Sequence, residues 1–381
     1  MRCGDAPAQK SVSSSISSSI CPLWTNSAIA PWHVLYARLI MPLLLLSVAL
    51  AMILGFAANR ASICAVRAVA EVISSGNAHM LRSIVKSVMW VLAITIPIIW
   101  LVPGVADKQV EWELSRLTLI GGFVYGMGAT LNGACAFSTL NQLADGRLRM
   151  LMTPLGFCLG VISYLQFARS GKLPLPISIP PPTHKLFPWA VAAAIGLMLW
   201  CIHEIRGLWR TRAAGSRIED LVLSHQYRLS TAAALIGLCN SILYIFYGAW
   251  SYTSTLEHTV EHFMTKGAWP WPIYWTLFGA MFAGMLLSTW QRNSFHVDWR
   301  PSLSWFRNLT GGTLMGVGAV LIPGGNDTLV LHGIPSFSAH AVPAYLAVLA
   351  GIFATLMAMR RGLAMEMNVD CTGDICVVKE P

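Results

Sequence analysis

GGFVYGMGATL at residues 121–131 lies over GGTLMGVGAVL at residues 311–321, an offset of 190 residues. Gly121, Gly122, Gly126, Gly128, Ala129 and Leu131 fall on Gly311, Gly312, Gly316, Gly318, Ala319 and Leu321. The same offset puts Glu71 on Glu261, Cys64 on Ser254 and Cys135 on Gly325, so a weaker register continues upstream. The match predicts that the chain is built from two copies of one unit. Within it, small residues at 122, 126 and 129/133 fall on one helical face, the pattern that lets helix backbones approach closely in a bilayer.

Composition says where such a unit lives. Of the 381 residues, 55% are hydrophobic and only 11% charged, against about 25% charged in an average soluble protein, and mean hydropathy is +0.59. Nine mainly apolar runs of at least 18 residues lie between charged positions: 39–59, 87–106, 117–144, 150–168, 186–203, 229–256, 267–291, 308–326 and 328–359. A hydrocarbon core of about 30 Å needs about 20 helical residues, so each run is long enough to span. Backbone facing lipid must satisfy its own hydrogen bonds, so helices are expected. The fold class expected is an all-α polytopic membrane protein with about nine transmembrane helices, short re-entrant helices and an inverted internal repeat.

Charge sets the topology. If the first span, about 34–57, enters from outside, the inner segments carry 17 of the 26 basic residues, which places the N-terminus outside and the C-terminus inside. The net charge of +9 is thereby assigned to topology and lipid headgroups, and no nucleic-acid partner is expected. Five spans separate the starts of the two copies, an odd number, so the second copy is inverted. The expected organisation is a flexible Ser-rich tail over 1–33, a first repeat over 34–203, a basic cytoplasmic linker over 204–228, an inverted second repeat over 229–360, and a cytoplasmic tail over 361–381 with Cys371 and Cys376. Inverted repeats place a substrate site near the midplane, at breaks in helices.

Two breaks are legible. In Asn132-Gly133-Ala134-Cys135 a helix ending near Gly133 would free backbone N–H groups beside a thiol. In Pro323-Gly324-Gly325-Asn326-Asp327 the proline cannot continue a helical ladder and the glycines release it, with Asp327 beginning or capping the next short helix. An ionisable residue at that depth is a functional candidate. Cys64 follows the first span in Asn59-Arg60-Ala-Ser-Ile-Cys64-Ala-Val-Arg67; on one helix, Arg60 and Arg67 would flank the thiol and favour its anion. His258 and His262 have a spacing able to hold zinc, but lack an evident third ligand apart from Glu261, so no metal site is expected. Cys158, Cys201 and Cys239 sit inside apolar runs and are read as packing.

These elements resemble the YeeE/YedE family of membrane proteins, which take up thiosulfate and related sulfur compounds. The likeness rests on Asn59-Arg60…Cys64, Gly121 to Cys135, and Gly311 to Asp327, and covers roughly residues 40–360. It implies an hourglass-shaped protein in which thiols line a narrow path, three of them in the family's usual form. Here no cysteine occurs between Cys239 and Cys371, so the second copy lacks the third thiol, and Gly325 and Asn326 stand where one would be sought. The tail over 369–376 faintly resembles the start of TusA-like sulfur carriers, which makes such a carrier a candidate partner.

The expected function is inward transport of a small sulfur-containing anion, thiosulfate above all, or a related selenium anion. Cys64, Cys135, Asn132, Gly133, Gly325, Asn326, Asp327, Arg60 and Arg67 are expected along the path. No catalytic residues, cofactor or metal are expected, since no nucleotide-binding loop or hydrolase arrangement appears. Neutral thiols are weak donors, so they hold a desolvated dianion loosely enough to release it. The inner membrane is the expected location. The alternative from another class is a membrane thiol oxidoreductase or sulfur-transfer enzyme using Cys64 and Cys135, which would cycle through a disulfide or persulfide.

Overall fold

A computed structural model describes residues 30–101, 111–171, 173–179, 188–210, 224–266, 269, 272–299, 302–363, 368–372 and 375–379. Residues 1–45 and 46–381 form separate compact units. The described part of the first is the opening of helix α1, with Met41 and Leu45 exposed; the expected tail over 1–33 lies almost wholly outside the described residues. All that follows concerns the second unit.

One helical order occurs twice. The first set is α1 (Ala30–Ala61), α2 (Ala65–Ser75), α3 (His79–Leu101), α4 (Arg116–Asn132), α5 (Ala136–Ala144) and α6 (Met152–Arg169). Helix α7 (Pro188–Arg210) follows. The second set is α8 (Leu229–Tyr247), α9 (Tyr252–Thr265), α10 (Pro272–Gln291), α11 (Leu303–Leu321), α12 (Asn326–Gly333) and α13 (Ala341–Leu363). Each set therefore reads long, short, long, long, short, long. Among the described residues the only strands are paired ribbons: β1 (Glu111–Trp112) with β2 (Ser178–Ile179), and a C-terminal hairpin of β3 (Asn368–Thr372) and β4 (Ile375–Lys379).

Local chemistry explains the breaks. Helix α1 ends where Ser62 turns left-handed at φ +50°. Helix α4 starts at a capping box between Ser115 and Thr118 and stops at Gly133, whose φ of +76° suits a residue without a Cβ. Helix α9 starts with the same device, Ser251 with Ser254. Helix α3 is capped from a neighbour: the buried Glu71 carboxylate accepts the N–H groups of His79 and Met80, each at 2.9 Å.

Inversion follows from how α4 meets α11. A Cβ on Gly128 would lie 2.6 Å from Gly311 O, and one on Gly121 would lie 2.3 Å from Leu321 Cβ. The end of α4 thus faces the beginning of α11, and the beginning of α4 faces its end. Equivalent helices packed antiparallel are related by an axis perpendicular to both, as an inverted duplication requires. Flanking contacts obey the same exchange: α4 packs on α13 through Gly126 and Val348 O, and α11 packs on α6 through Gly316 and Phe157 O. Close approach at these positions recovers dispersion contacts that lipid tails would otherwise supply.

The outer faces carry Ile53, Leu119, Ile120, Leu155, Leu159, Leu346 and Phe353 exposed, as lipid contact demands. Exposed Trp209 stands beside the basic end of α7 at Arg210, the usual place of interfacial aromatics. Six helices among the described residues are long and apolar enough to cross a membrane, or seven if α11 and α12, bent 46° apart, form one span. Nine spans, the number expected, are not confirmed among the described residues. An apolar run is not always one straight helix: run 117–144 is cut at Gly133, leaving α4 with 17 residues, and run 328–359 opens with the short α12 before α13 begins.

Candidate functional site

Cys64 and Cys135 occupy matching places, each the residue immediately before a short helix, α2 and α5. Neither side chain caps its own helix. Instead the backbone N–H of Cys135 donates to Cys64 Sγ at 3.4 Å, and both thiols are free and buried. They line a cavity of about 70 Å³ together with Ala58, Ser87 and Phe137 from the first set and Asn326 and Asp327 from the second. Its lining has one carboxylate and no Lys, Arg or His.

The second set brings Asn326 and Asp327 to the cavity, beside the apolar Ile236, Val330 and Leu331. Gly325 precedes α12 as Cys135 precedes α5, and its N–H donates to Thr253 Oγ1 at 3.0 Å. Thr253 in turn donates its hydroxyl to Asp327 Oδ1 at 2.5 Å and its N–H to Asp327 Oδ2 at 3.3 Å. Ser251 and Thr328 hydroxyls meet at 2.7 Å beside them. A Cβ at Gly325 would lie 2.5 Å from Thr253 Oγ1 and 2.7 Å from Asp327 Oδ1. The position where a third thiol would be sought is therefore filled by the threonine. Asn326 has its Oδ1 buried without a hydrogen-bond partner.

The candidates from the sequence divide into two groups. Cys64, Cys135, Asn326 and Asp327 come together at the cavity. Asn132, Gly133, Gly325, Arg60 and Arg67 do not line it. Asn132 locks the break instead, donating to Ala134 O at 2.9 Å and Thr139 Oγ1 at 2.8 Å and accepting from Thr153 at 2.6 Å. Gly133 and Gly325 make the turns that bring the neighbouring side chains in.

Arg60 and Arg67 do not share a helix with Cys64 between them, because the chain turns at Ser62. Arg60 belongs to α1 and points into a polar cluster, bonding Gln291 at 2.8 Å, Ser288 at 3.3 Å and the Ser224 carbonyl. Its guanidinium stacks on Phe56 at 4.6 Å and Tyr227 at 5.5 Å. Burial pushes the Tyr227 phenol upward, with the Arg60 charge acting against it. Arg67, in α2, keeps an electrostatic interaction with Cys64. Asp327 lies in the first turn of α12, as expected of a residue that begins it; the cap position is Gly325, and the Asp327 carboxylate reaches across to α9.

His258 pairs with Glu261 at 3.6 Å, and no cluster of three metal-binding side chains occurs among the described residues. Cys371 and Cys376 are directly paired in the β3–β4 register. Of the linker arginines, Arg206 and Arg210 lie in α7, while Arg212 and Arg217 lie outside the described residues.

Sequence reading missed Thr253, because the 190-residue offset aligns Cys64 with Ser254 and hydroxyl residues fill the whole stretch 251–255. It also missed a polar cluster joining α1, α5 and α10. There Arg292 donates to Asn59 Oδ1 at 2.7 Å and Asp145 Oδ1 at 3.2 Å, and Thr289 donates to Asp145 at 2.9 Å. Its hydrogen-bonded pairs lie 86 to 233 residues apart in sequence, so no local pattern announces it.

Two antiparallel copies of one helical unit, with a cavity lined from both, define a multi-pass membrane protein of the inverted-repeat type that serves transport. A family model described as Sulphur transport matches residues 60–354. The chain belongs to that family, the YeeE/YedE family, and it acts as a sulfur transporter whose substrate is a sulfur anion. No curated protein matches it.

Proposed function

We propose that the protein carries thiosulfate inward across the inner membrane, along a path through the cavity at Cys64, Cys135, Asn326 and Asp327. The observation that carries this reading is the meeting of two thiols from one copy with an unpartnered amide oxygen and a carboxyl from the other in one cavity. A dianion leaving water needs donors in place of its hydration. Thiol S–H groups supply weak ones and match the soft terminal sulfur. Asn132, Gly133 and Gly325 serve the path indirectly, by shaping the breaks, and Arg67 tunes Cys64. The N-terminus outside and C-terminus inside follow from the basic inner loops, and the cytoplasmic tail faces a TusA-like carrier that takes the sulfur onward.

The test is growth of a sulfur-auxotrophic host on thiosulfate as sole sulfur source. Wild type should support growth; Cys64→Ala and Cys135→Ala, expressed to the same level, should not. Growth of both variants at the wild-type rate would remove the thiols from the path. A second reading, thiol oxidoreduction or sulfur transfer, is favoured by the contact between Cys135 N–H and Cys64 Sγ. It requires a Cys64–Cys135 disulfide or a persulfide during turnover, whereas carriage of thiosulfate keeps both thiols reduced, which mass spectrometry of protein trapped during uptake distinguishes.

A further inference from the structure

We infer that Asp327 takes up a proton when the anion enters the cavity, so that transport is coupled to protons; the inference rests on the thiosulfate path proposed above. Asp327 is 5% exposed and lines the same cavity as Cys64 and Cys135. Among the described residues no cation pairs with its carboxylate. Its hydrogen bonds come from the Thr253 hydroxyl and N–H and from the backbone of Asp327 itself and Thr328, all of them neutral donors. These donors suffice for a lone carboxylate. They do not suffice when a dianion shares the space, because two like charges would then face each other in a lining without a cation.

A proton on Asp327 removes that repulsion and adds an O–H donor for the anion. The cavity is short of donors already, since Asn326 Oδ1 is buried without one. The proton also reduces the net charge moved against a membrane potential that is negative inside. No covalent bond changes: the carboxylate gains a proton with the anion and releases it when the anion leaves.

Other titratable groups face this site. Cys64 and Cys135 line the same cavity, and Tyr125 from α4 and Tyr252 from α9 lie within electrostatic reach of Asp327. On α12 itself, His332 sets its Nε2 2.7 Å from Trp250 O and stacks on Tyr244. Thiosulfate stays fully ionised across the neutral range, so proton uptake on binding must come from the protein.

The experiment titrates purified full-length protein with thiosulfate in weakly buffered detergent, with a pH indicator. Wild type should take up about one proton per anion bound, and affinity should fall about tenfold for each unit of rising pH. Asp327→Asn should show neither proton uptake nor that slope, and Asp327→Glu should restore both. Binding by wild type without proton uptake, or an Asp327→Asn protein that keeps the wild-type slope, overturns the inference. Loss of the slope in His332→Gln but not in Asp327→Asn also overturns it, by moving the proton to His332. If wild type binds no thiosulfate at all, the proposed function fails first and the inference falls with it.

Discussion

The backbone N–H of Cys135 meets the sulfur of Cys64 at 3.4 Å, tying the start of α5 to the start of α2. Across the duplication the same kind of contact joins Gly325 N–H to the Thr253 hydroxyl at 3.0 Å. Inverted copies have thus kept one backbone arrangement while the acceptor changed from a soft atom to a hard one. The first copy lines the cavity with two thiols; the second lines it with an amide and with a carboxyl held by a threonine hydroxyl.

The absent third thiol is a matter of space as well as of sequence. Gly325→Cys should destabilise the protein by about 1–3 kcal/mol, the usual cost of forcing atoms into a packed site, because its Cβ would collide with Thr253 Oγ1. Thermal unfolding in detergent measures this. Adding Thr253→Ala should recover only part of the loss, since Asp327 Oδ1 also lies 2.7 Å from that Cβ; no recovery would mean that the threonine is not what excludes the side chain.

Asn132 and Asn326 should respond in opposite ways to the same change. Asn132→Leu leaves Ala134 O, Thr139 and Thr153 without their partner, at a cost of about 1–3 kcal/mol for each buried group left unpaired, and should lower folded yield. Asn326→Leu removes an oxygen that bonds nothing, so melting should hardly move while thiosulfate uptake falls. Equal uptake by Asn326→Leu and wild type would take that side chain off the path.

Gly128 tests the seam between the copies. Gly128→Leu would force apart α4 and α11, whose backbones meet there, and should lower the melting temperature by the equivalent of at least about 2 kcal/mol. Gly196 in α7 has nothing within 4 Å of a built Cβ. Gly196→Ala should be neutral, or stabilising by up to about 1 kcal/mol through helix propensity. The contrast is read from melting curves of the two purified variants.

Cys64→Ser keeps an acceptor for the Cys135 N–H but exchanges sulfur for oxygen. Folding should survive, whereas initial uptake of radiolabelled thiosulfate into proteoliposomes should drop about tenfold, the effect of losing about 1.4 kcal/mol of favourable contact. Undiminished uptake would show that sulfur chemistry at this position is dispensable.

Much of this was legible in the chain. The glycine pattern repeated at 121–131 and 311–321 marks the two helices that meet antiparallel at the centre, since only residues without side chains allow backbones so close. Gly133 and Pro323-Gly324-Gly325 marked the breaks beside the cavity, because helix-ending chemistry is local. Hydropathy alone does not fix the number of spans, because it reports an apolar run and not whether the run bends inside it. Nor was the fate of Arg60, whose i,i+4 relation to Cys64 holds only if one helix passes through Ser62.

What the amino-acid order settled alone was the membrane class and the duplication, since these depend on composition and periodicity. What only the tertiary structure decided was which side chains share a space. Cys64 and Cys135 are 71 residues apart and Thr253 and Asp327 are 74 apart, and no short-range rule brings such pairs together. Helix packing does, through the glycine seam that sets the separation of the two copies and leaves a cavity where their broken helices meet.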